Sequence, residues 1–397
     1  MRFWPSRPAR AATALADDLP VPDERLSQTV EDVLAVRERW IGPGVAVFRG
    51  ALRMAPERAL ALLVERWRPL GWVPLLHEEA DAVVVRAAPA EPEAPRGRVR
   101  WNVLLFVLTC VTMLLAGVRV FGSPSFDAFR ASPSPFIWML SGVPFAGPLL
   151  AILIVHEFGH YLTARHYGAA VSLPYFIPAP PFLFPAGTLG AIIRMRSPAR
   201  DRNSLFDIAA AGPLAGLAVA LPAAVLGVAW SALAPAMPGV QVFGDSVLMR
   251  VLFTLRFGEV PAGMMIFTHP MADAAWFGFL VTAINLLPAG QLDGGRIAFA
   301  LFGRRHATIG RLTVAGLVLI GLVVTGIKMA AGYDLTLAIL AGLNWFVWAA
   351  LIRFLVGYRH GPVLDTVTPL TPGRRIVGAL CFLLLVLLLP PVLIATD

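Results

Sequence analysis

The sequence predicts an all-α polytopic membrane protein of about six or seven transmembrane helices, preceded by a small N-terminal α+β domain of βαββ order. Three observations carry this. Of 397 residues, 57% are hydrophobic and only 15% charged, with a mean hydropathy of +0.71, as in multi-pass membrane proteins rather than soluble ones. From Trp101 onward apolar runs recur at about 20 residues or more, the length that crosses a hydrocarbon core. Ahead of them, residues 41–88 show the short alternating and helical patterns of a soluble fold.

Taken in order, residues 1–40 read as an irregular segment, with Pro5, Pro8, Pro20 and Pro22 in its first part. No apolar stretch follows Arg2, Arg7 and Arg10, so no secretory signal peptide is expected. Residues 45–52 read as a strand and 56–68 as an amphipathic helix with Leu60, Leu62, Leu63 and Trp67 on its apolar side. Residues 72–76 and 82–85 read as two further strands. This βαββ unit, bounded at 41–88 and assigned to the cytosolic side, is near the lower size limit for independent stability. Residues 89–100 form a Pro-rich linker, and residues 101–397 form one membrane domain. Its spans are expected at 101–121, 138–166, 205–231, 272–303, 311–331, 335–356 and 375–395. Val247 to Phe257 mixes apolar and basic residues in the manner of a short helix lying on a membrane surface.

The net charge of +8 fits positive-inside loops, and no basic run interleaved with aromatics points to nucleic acid. Membrane lipid is the expected surroundings. The basic clusters are Arg96, Arg98 and Arg100; Arg194, Arg196, Arg200 and Arg202; Arg304, Arg305 and Arg311; and Arg353, Arg359, Arg374 and Arg375. With seven spans all four fall on one side, which places the N-terminus in the cytoplasm and the C-terminus outside. The expected location is the inner membrane of a bacterium. Cys110 and Cys381 both lie in apolar segments, against a disulfide framework or a CxxC metal site.

The chemistry concentrates in His156-Glu157-Phe158-Gly159-His160, an HExxH pattern entered directly from the apolar run 147–155. Residues i and i+4 share a helix face, so both imidazoles can reach one metal ion, while Glu157 stands beside it as a carboxylate able to take a proton from water. Ionisable groups in a span are costly and mark function by default. A catalytic zinc takes three protein ligands, so a third must come from elsewhere. Asp293 lies in the apolar fourth segment, in Asn285-Leu286-Leu287-Pro288-Ala289-Gly290-Gln291-Leu292-Asp293-Gly294-Gly295. Two buried polar sites at matching depth can meet, whereas each alone leaves an unpaired charge in lipid. Pro288 and the paired glycines are expected to break the helix there.

HExxH in one span with N-x-x-P-x-x-x-L-D-G-G in a later one resembles the site-2 protease family of intramembrane zinc metalloproteases, peptidase family M50. The likeness extends over Gly187-Thr188-Leu189-Gly190 and over Phe206 to Gly216, FDIAAAGPLAG. It is greatest to the branch without a PDZ domain that includes chloroplast and cyanobacterial members. The resemblance implies zinc as cofactor, His156, His160 and Asp293 as its ligands, and Glu157 as general base. Asn285 is then either a hydrogen-bond donor to the substrate carbonyl or a structural cap between helices. It also implies a membrane-embedded loop or hairpin over 171–195, either offering a strand edge to an unwound substrate or serving as plain loop. Gly212 to Gly216 is expected to let the third span pack tightly. The function implied is zinc-dependent endoproteolysis within or near transmembrane segments of membrane-anchored substrates. A metal-ion carrier and a catalytically silent scaffold stay as alternatives. His166 reads as a solvated flank, His77 as surface, and His269, His306 and His360 as loop residues without visible partners.

Overall fold

The computed structural model of the chain describes residues 24–79, 81–90, 98–121, 134–236, 241–392 and 394–396. The N-terminal part builds α1 (Glu24–Val30), β1 (Leu34–Gly42), β2 (Val45–Leu52), α2 (Pro56–Trp67), β3 (Trp72–Glu79) and β4 (Ala82–Pro89). Leu60, Leu63 and Trp67, at i, i+3 and i+7 of α2, form its buried stripe and pack with Phe48, Trp72 and Leu76 of the strands. An irregular segment over 1–40 is corrected in its second half. Leu26, Val30, Val33 and Leu34 are fully buried in the same core, so burial rather than propensity fixes α1 and β1. The sheet therefore has an extra strand beyond βαββ. Residues 1–23 and 91–97 lie outside the described residues, and the expected linker is narrower than 89–100, since Pro89 ends β4 and helix begins at Val99.

The membrane part follows with α3 (Val99–Phe121), α4 (Pro135–Leu140) and α5 (Val143–His166), then a hairpin of β5 (Tyr175–Pro178) and β6 (Thr188–Ile192). Next come β7 (Ala199–Asp201), α6 (Arg202–Trp230), β8 (Ala232–Pro235), β9 (Gln241–Phe243), α7 (Val247–Phe257) and β10 (Met264–Phe267). The chain ends with α8 (Pro270–Asn285), α9 (Asp293–Phe302), α10 (His306–Ala330), α11 (Leu335–Leu351), β11 (Val363–Asp365), α12 (Pro372–Leu388) and β12 (Ile394–Thr396). Five helical segments among the described residues are long and apolar enough to cross a membrane: Val99–Val118, Val143–His166, Arg202–Trp230, Asp293–Ala330 and Leu335–Val356. The single span expected at 272–303 is instead two helices, α8 and α9, separated by residues 286–292. Pro288 removes a backbone donor, and Gly290 adopts φ +50° with Gly357 O 2.2 Å from where a Cβ would stand.

The hairpin β5–β6 is antiparallel, with Tyr175 opposite Ile192 and Phe176 opposite Ala191. It leans on α3: Asn102 Nδ2 donates to the carbonyls of Leu173 and Pro174 at 3.1 and 2.9 Å, and Phe106 meets Phe176 edge-on at 5.2 Å. The turn end exposes Phe182, Leu183 and Phe184.

Neither the soluble nor the membrane part is closed off from the other. The N-terminal sheet continues into the membrane part as one six-stranded sheet, β1-β2-β4-β3-β11-β7. β11 runs parallel to β3, pairing Asp365 with Leu76, and parallel to β7, pairing Val363 with Ala199 and Asp365 with Asp201. His77, expected at the surface, is half-buried at this junction, its Nδ1 3.1 Å from Thr366 Oγ1. β7 leads directly into α6, whose N-terminus Asp201 and Ser204 close as a capping box. A second tie holds the same end together. The Arg374 guanidinium of α12 donates to both Asp207 oxygens of α6 at 2.7 and 2.6 Å, and the Tyr167 hydroxyl at the end of α5 donates to the same carboxylate. Removing Asp207 takes from the half-buried Arg374 and Tyr167 the carboxylate they share, leaving Arg374 the weaker acceptors Thr371 Oγ1 at 3.0 Å and Tyr167 Oη at 3.4 Å. Asp207→Ala is expected to cost about 1–3 kcal/mol, read as a lowered thermal midpoint in detergent against wild type, with Asp207→Asn losing less.

Candidate active site

His156, Glu157 and His160 sit in the second half of α5, a 24-residue helix, and are 2%, 5% and 4% exposed. The i, i+4 spacing puts the two imidazoles on one face, with ring centroids 4.9 Å apart. Asp293 opens α9 immediately after the helix break and is 8% exposed. Gly294 and Gly295 allow this start to fold back on the broken segment: a Cβ on them would lie 1.9 Å from Leu286 O and 2.5 Å from Ala289 O. The result brings His156, His160 and Asp293 together, with one ligand atom from each within 4.8 Å of the others.

The distances identify what fits between them. His160 Nε2 is 3.2 Å from His156 Nε2 and 3.1 Å from Asp293 Oδ2, and His156 Nε2 is 3.5 Å from the same oxygen. In a tetrahedral zinc site with bonds of ~2.0–2.1 Å the ligand atoms stand roughly 3.3–3.4 Å apart. Protonation chemistry points the same way. His160 Nδ1 lies 2.6 Å from the Ile208 carbonyl, which only accepts, so Nδ1 carries the hydrogen. In the neutral ring, Nε2 then turns a lone pair toward Nε2 of His156 and a carboxylate oxygen. With His156 Nε2 at the same point, these atoms form a buried donor set of a kind that suits a metal cation. The Ile208 carbonyl also fixes ring orientation, the role an outer partner plays at metal-ligating histidines.

Gly212 and Gly216, expected in tight helix packing, each meet a particular histidine. α6 runs back along α5, and each histidine faces one of these glycines. A Cβ at Gly212 would lie 2.1 Å from His160 Nε2, and one at Gly216 would lie 3.1 Å from His156 Nδ1. Ile208 and Gly212 share a face of α6 at i, i+4. One residue therefore supplies the carbonyl that holds His160 and the other the room for its ring. The signal was in the sequence as matching four-residue spacings, 156/160 and 212/216, but the pairing needs the three-dimensional register. Asn285, the last residue of α8, brings Nδ2 to 3.4 Å from His156 Nε2, so its amide stands at the cluster. The remaining histidines stand apart from it. His269 caps α8 by accepting from Met271 N at 3.2 Å. His306 and His360, expected to lack partners, have each other: His306 Nε2 accepts from His360 N at 3.2 Å, and both rings contact Phe299.

Residues 144–327 match the model of Peptidase family M50. Among curated proteins, the chain is 32% identical over 321 residues to "Probable zinc metalloprotease EGY2, chloroplastic" of Arabidopsis thaliana, covering 78% of this chain and 52% of that protein. It is 31% identical over 336 residues to the EGY2 protein of Oryza sativa subsp. indica, covering 81% and 56%. To "Probable zinc metallopeptidase EGY3, chloroplastic" of Arabidopsis thaliana it is 29% identical over 327 residues, covering 74% and 50%. The chain thus spans about half the length of the curated relatives it matches. No solved structure matches. The relatives' names are chloroplastic, so they give no support to the expected bacterial inner membrane.

Gly212→Ala is expected to weaken retention of bound divalent metal by roughly 10–100-fold, measured as metal content after dialysis against a graded chelator. Gly147→Ala on α5, where a Cβ would meet only Val143 at 3.8 Å, leaves retention unchanged. Residues 144–327 of this chain make up a domain of Peptidase family M50, and the chain is kin to the chloroplast-type EGY zinc metalloproteases.

Proposed function

We propose that the chain is a zinc-dependent intramembrane endopeptidase that hydrolyses peptide bonds within or near transmembrane segments of membrane-anchored proteins. The single strongest support is the His160 ring, held by the Ile208 carbonyl with its free nitrogen 3.1 Å from Asp293 Oδ2 and 3.2 Å from His156 Nε2. In this proposal His156, His160 and Asp293 hold the zinc, which supplies Lewis acidity for hydrolysis at neutral pH. Glu157, next to His156 and buried, takes the proton from the attacking water and hands it to the leaving amine nitrogen. The Asn285 amide donates to the scissile carbonyl and stabilises its developing negative charge. The apolar walls of α5, α6 and α8 keep competing water away from these charges.

A substrate helix hides its peptide bonds and must unwind before it is cut. The β5–β6 hairpin, with Leu189 and Ile192 exposed, is proposed to receive the unwound strand along its edge. Seven crossings are proposed: α3, α5, α6, the broken pair α8–α9, α10, α11 and α12. At 1.5 Å per residue the 16-residue α8 and 10-residue α9 together reach roughly 40 Å, enough for one interrupted crossing. The arginine-rich loops favour one sidedness. Those at 196–202 and 359–375 flank or supply β7 and β11, and Arg304 donates to Glu78 O at 3.4 Å, so they share the end that carries the N-terminal sheet. The positive-inside tendency then puts this sheet on the cytosolic side or its topological equivalent. A metal carrier leaves Glu157 without a task, and a silent scaffold leaves the converging lone pairs without one.

Glu157→Gln is expected to reduce cleavage roughly 10²-fold or more while purified protein keeps its zinc, whereas His160→Ala and Asp293→Ala lose zinc. Peptide N-termini compared between membranes of cells expressing wild type and Glu157→Gln report the cleavage. Full zinc occupancy in His160→Ala and Asp293→Ala would sink the ligand assignment. Asn285→Ala is expected to lower kcat by roughly 10²–10³ with zinc retained. A wild-type kcat in that variant would reduce Asn285 to a cap.

A further inference from the structure

A cavity of about 1120 Å³ lies where the N-terminal sheet meets the membrane part. One wall comes from α2 and β3, with Leu60, Val64 and Trp72. The other is the end of α5, the loop after it and the stretch leading to β7. Arg68, Arg165, Arg196 and Arg200 line it, and among the described residues no aspartate or glutamate does. Tyr161, Tyr167 and Tyr175 complete the polar part. Among the described residues, the Arg165 side chain makes a long 3.4 Å hydrogen bond to the Tyr161 hydroxyl and lies over that ring at 6.0 Å. Arg165, Arg196 and Arg200 all come from the second wall, so three guanidinium groups face the cavity from one side. Guanidinium forks match phosphate oxygens bidentately, and tyrosine and tryptophan faces beside apolar walls suit an attached apolar or aromatic body.

We infer that this cavity binds a phosphate-bearing amphipathic ligand between the N-terminal sheet and the membrane domain, with Arg165, Arg196 and Arg200 as its phosphate contacts. The same chemistry comes from two sources, the headgroup of an anionic lipid at the membrane surface and a free nucleoside phosphate. The site is independent of the hydrolytic centre, and its test needs no cleavage. Its far wall is nonetheless next to that centre, since Tyr161 follows His160 and Ile208 lines both.

The full chain is reconstituted in phosphatidylcholine nanodiscs, with or without phosphatidylglycerol, and separately titrated with ATP in pure phosphatidylcholine. The thermal midpoint and deuterium exchange at residues 196–201 are followed. A midpoint rise and slowed exchange with phosphatidylglycerol alone assign the lipid, and the same response to ATP assigns the free ligand. In either case the response weakens roughly tenfold in apparent affinity for each arginine removed among Arg165→Ala, Arg196→Ala and Arg200→Ala. It persists in Arg37→Ala, which removes equal charge from the far edge strand β1. The exchange measurement on wild type stands even where an arginine variant fails to fold. Unchanged exchange at 196–201 with both probes, or equal loss in the β1 variant, overturns the site.

Discussion

The hydrogen bond from His160 Nδ1 to the Ile208 carbonyl is the contact on which the rest of the site depends. It settles which ring nitrogen carries the hydrogen, and so turns the other nitrogen into an acceptor aimed at Asp293 and His156. In water such an arrangement would relax through solvent. In a buried site a positive charge between the groups is favoured, because a carboxylate and an imidazole lone pair held out of water gain most from a cation. A hydrogen bond between one ring and one carbonyl thereby helps to orient three side chains that could hold a metal ion.

That contact requires α5 and α6 to approach more closely than side chains ordinarily permit. Gly159 on α5 has the Ala211 carbonyl 2.7 Å from its would-be Cβ, and Gly212 has the His160 ring there. In lipid, where apolar burial does not drive helices together, small residues that admit close packing and interhelical hydrogen bonds take over that task. The broken span serves the same end from the opposite side. A continuous helix through 285–293 would carry Asp293 about two turns beyond Asn285. The break at Pro288 and Gly290 instead brings both residues to His156 and His160. Backbone left unpaired by such a break is tolerated at this depth because it is buried in protein.

Much of this was legible in the sequence. His156, Glu157 and His160 stand out because charge in an apolar run is too costly to be idle, and Asp293 because it is isolated in a second such run beside a proline and two glycines. The partners that make these residues work were not legible. Ile208 is an ordinary apolar residue whose contribution is a backbone carbonyl, and Gly212 matters through the ring opposite it. Both depend on the register of two helices distant in sequence. α1 and β1 were hidden for another reason. Leu26 and Val30 are the only apolar residues in the seven of α1, too few for a periodicity, and such a short helix is stable only through packing. The three-residue strands β7 and β11 carry no period at all and exist because the longer strand β3 offers an edge to β11, which in turn offers one to β7.

That shared sheet alters the status of the N-terminal part. The Pro-rich composition after residue 88 marks a linker between the N-terminal part and the membrane part. With β11 hydrogen-bonded between β3 and β7, the N-terminal part is nonetheless continuous with the two segments that enter the active-site region, β7 into α6 and β11 toward α12. α6 carries Ile208 and Gly212, and α12 is tied to α6 through Arg374 and Asp207. A displacement of the sheet by a fraction of an ångström would act at the base of the helix that holds His160, and metal geometry tolerates little of that before ligand distances leave their range. The sheet therefore either braces the site rigidly or biases it between two settings. The close packing of Gly159, Gly212 and Gly216 leaves few intermediate positions for α6 to occupy, since packed interfaces are bistable rather than continuously deformable.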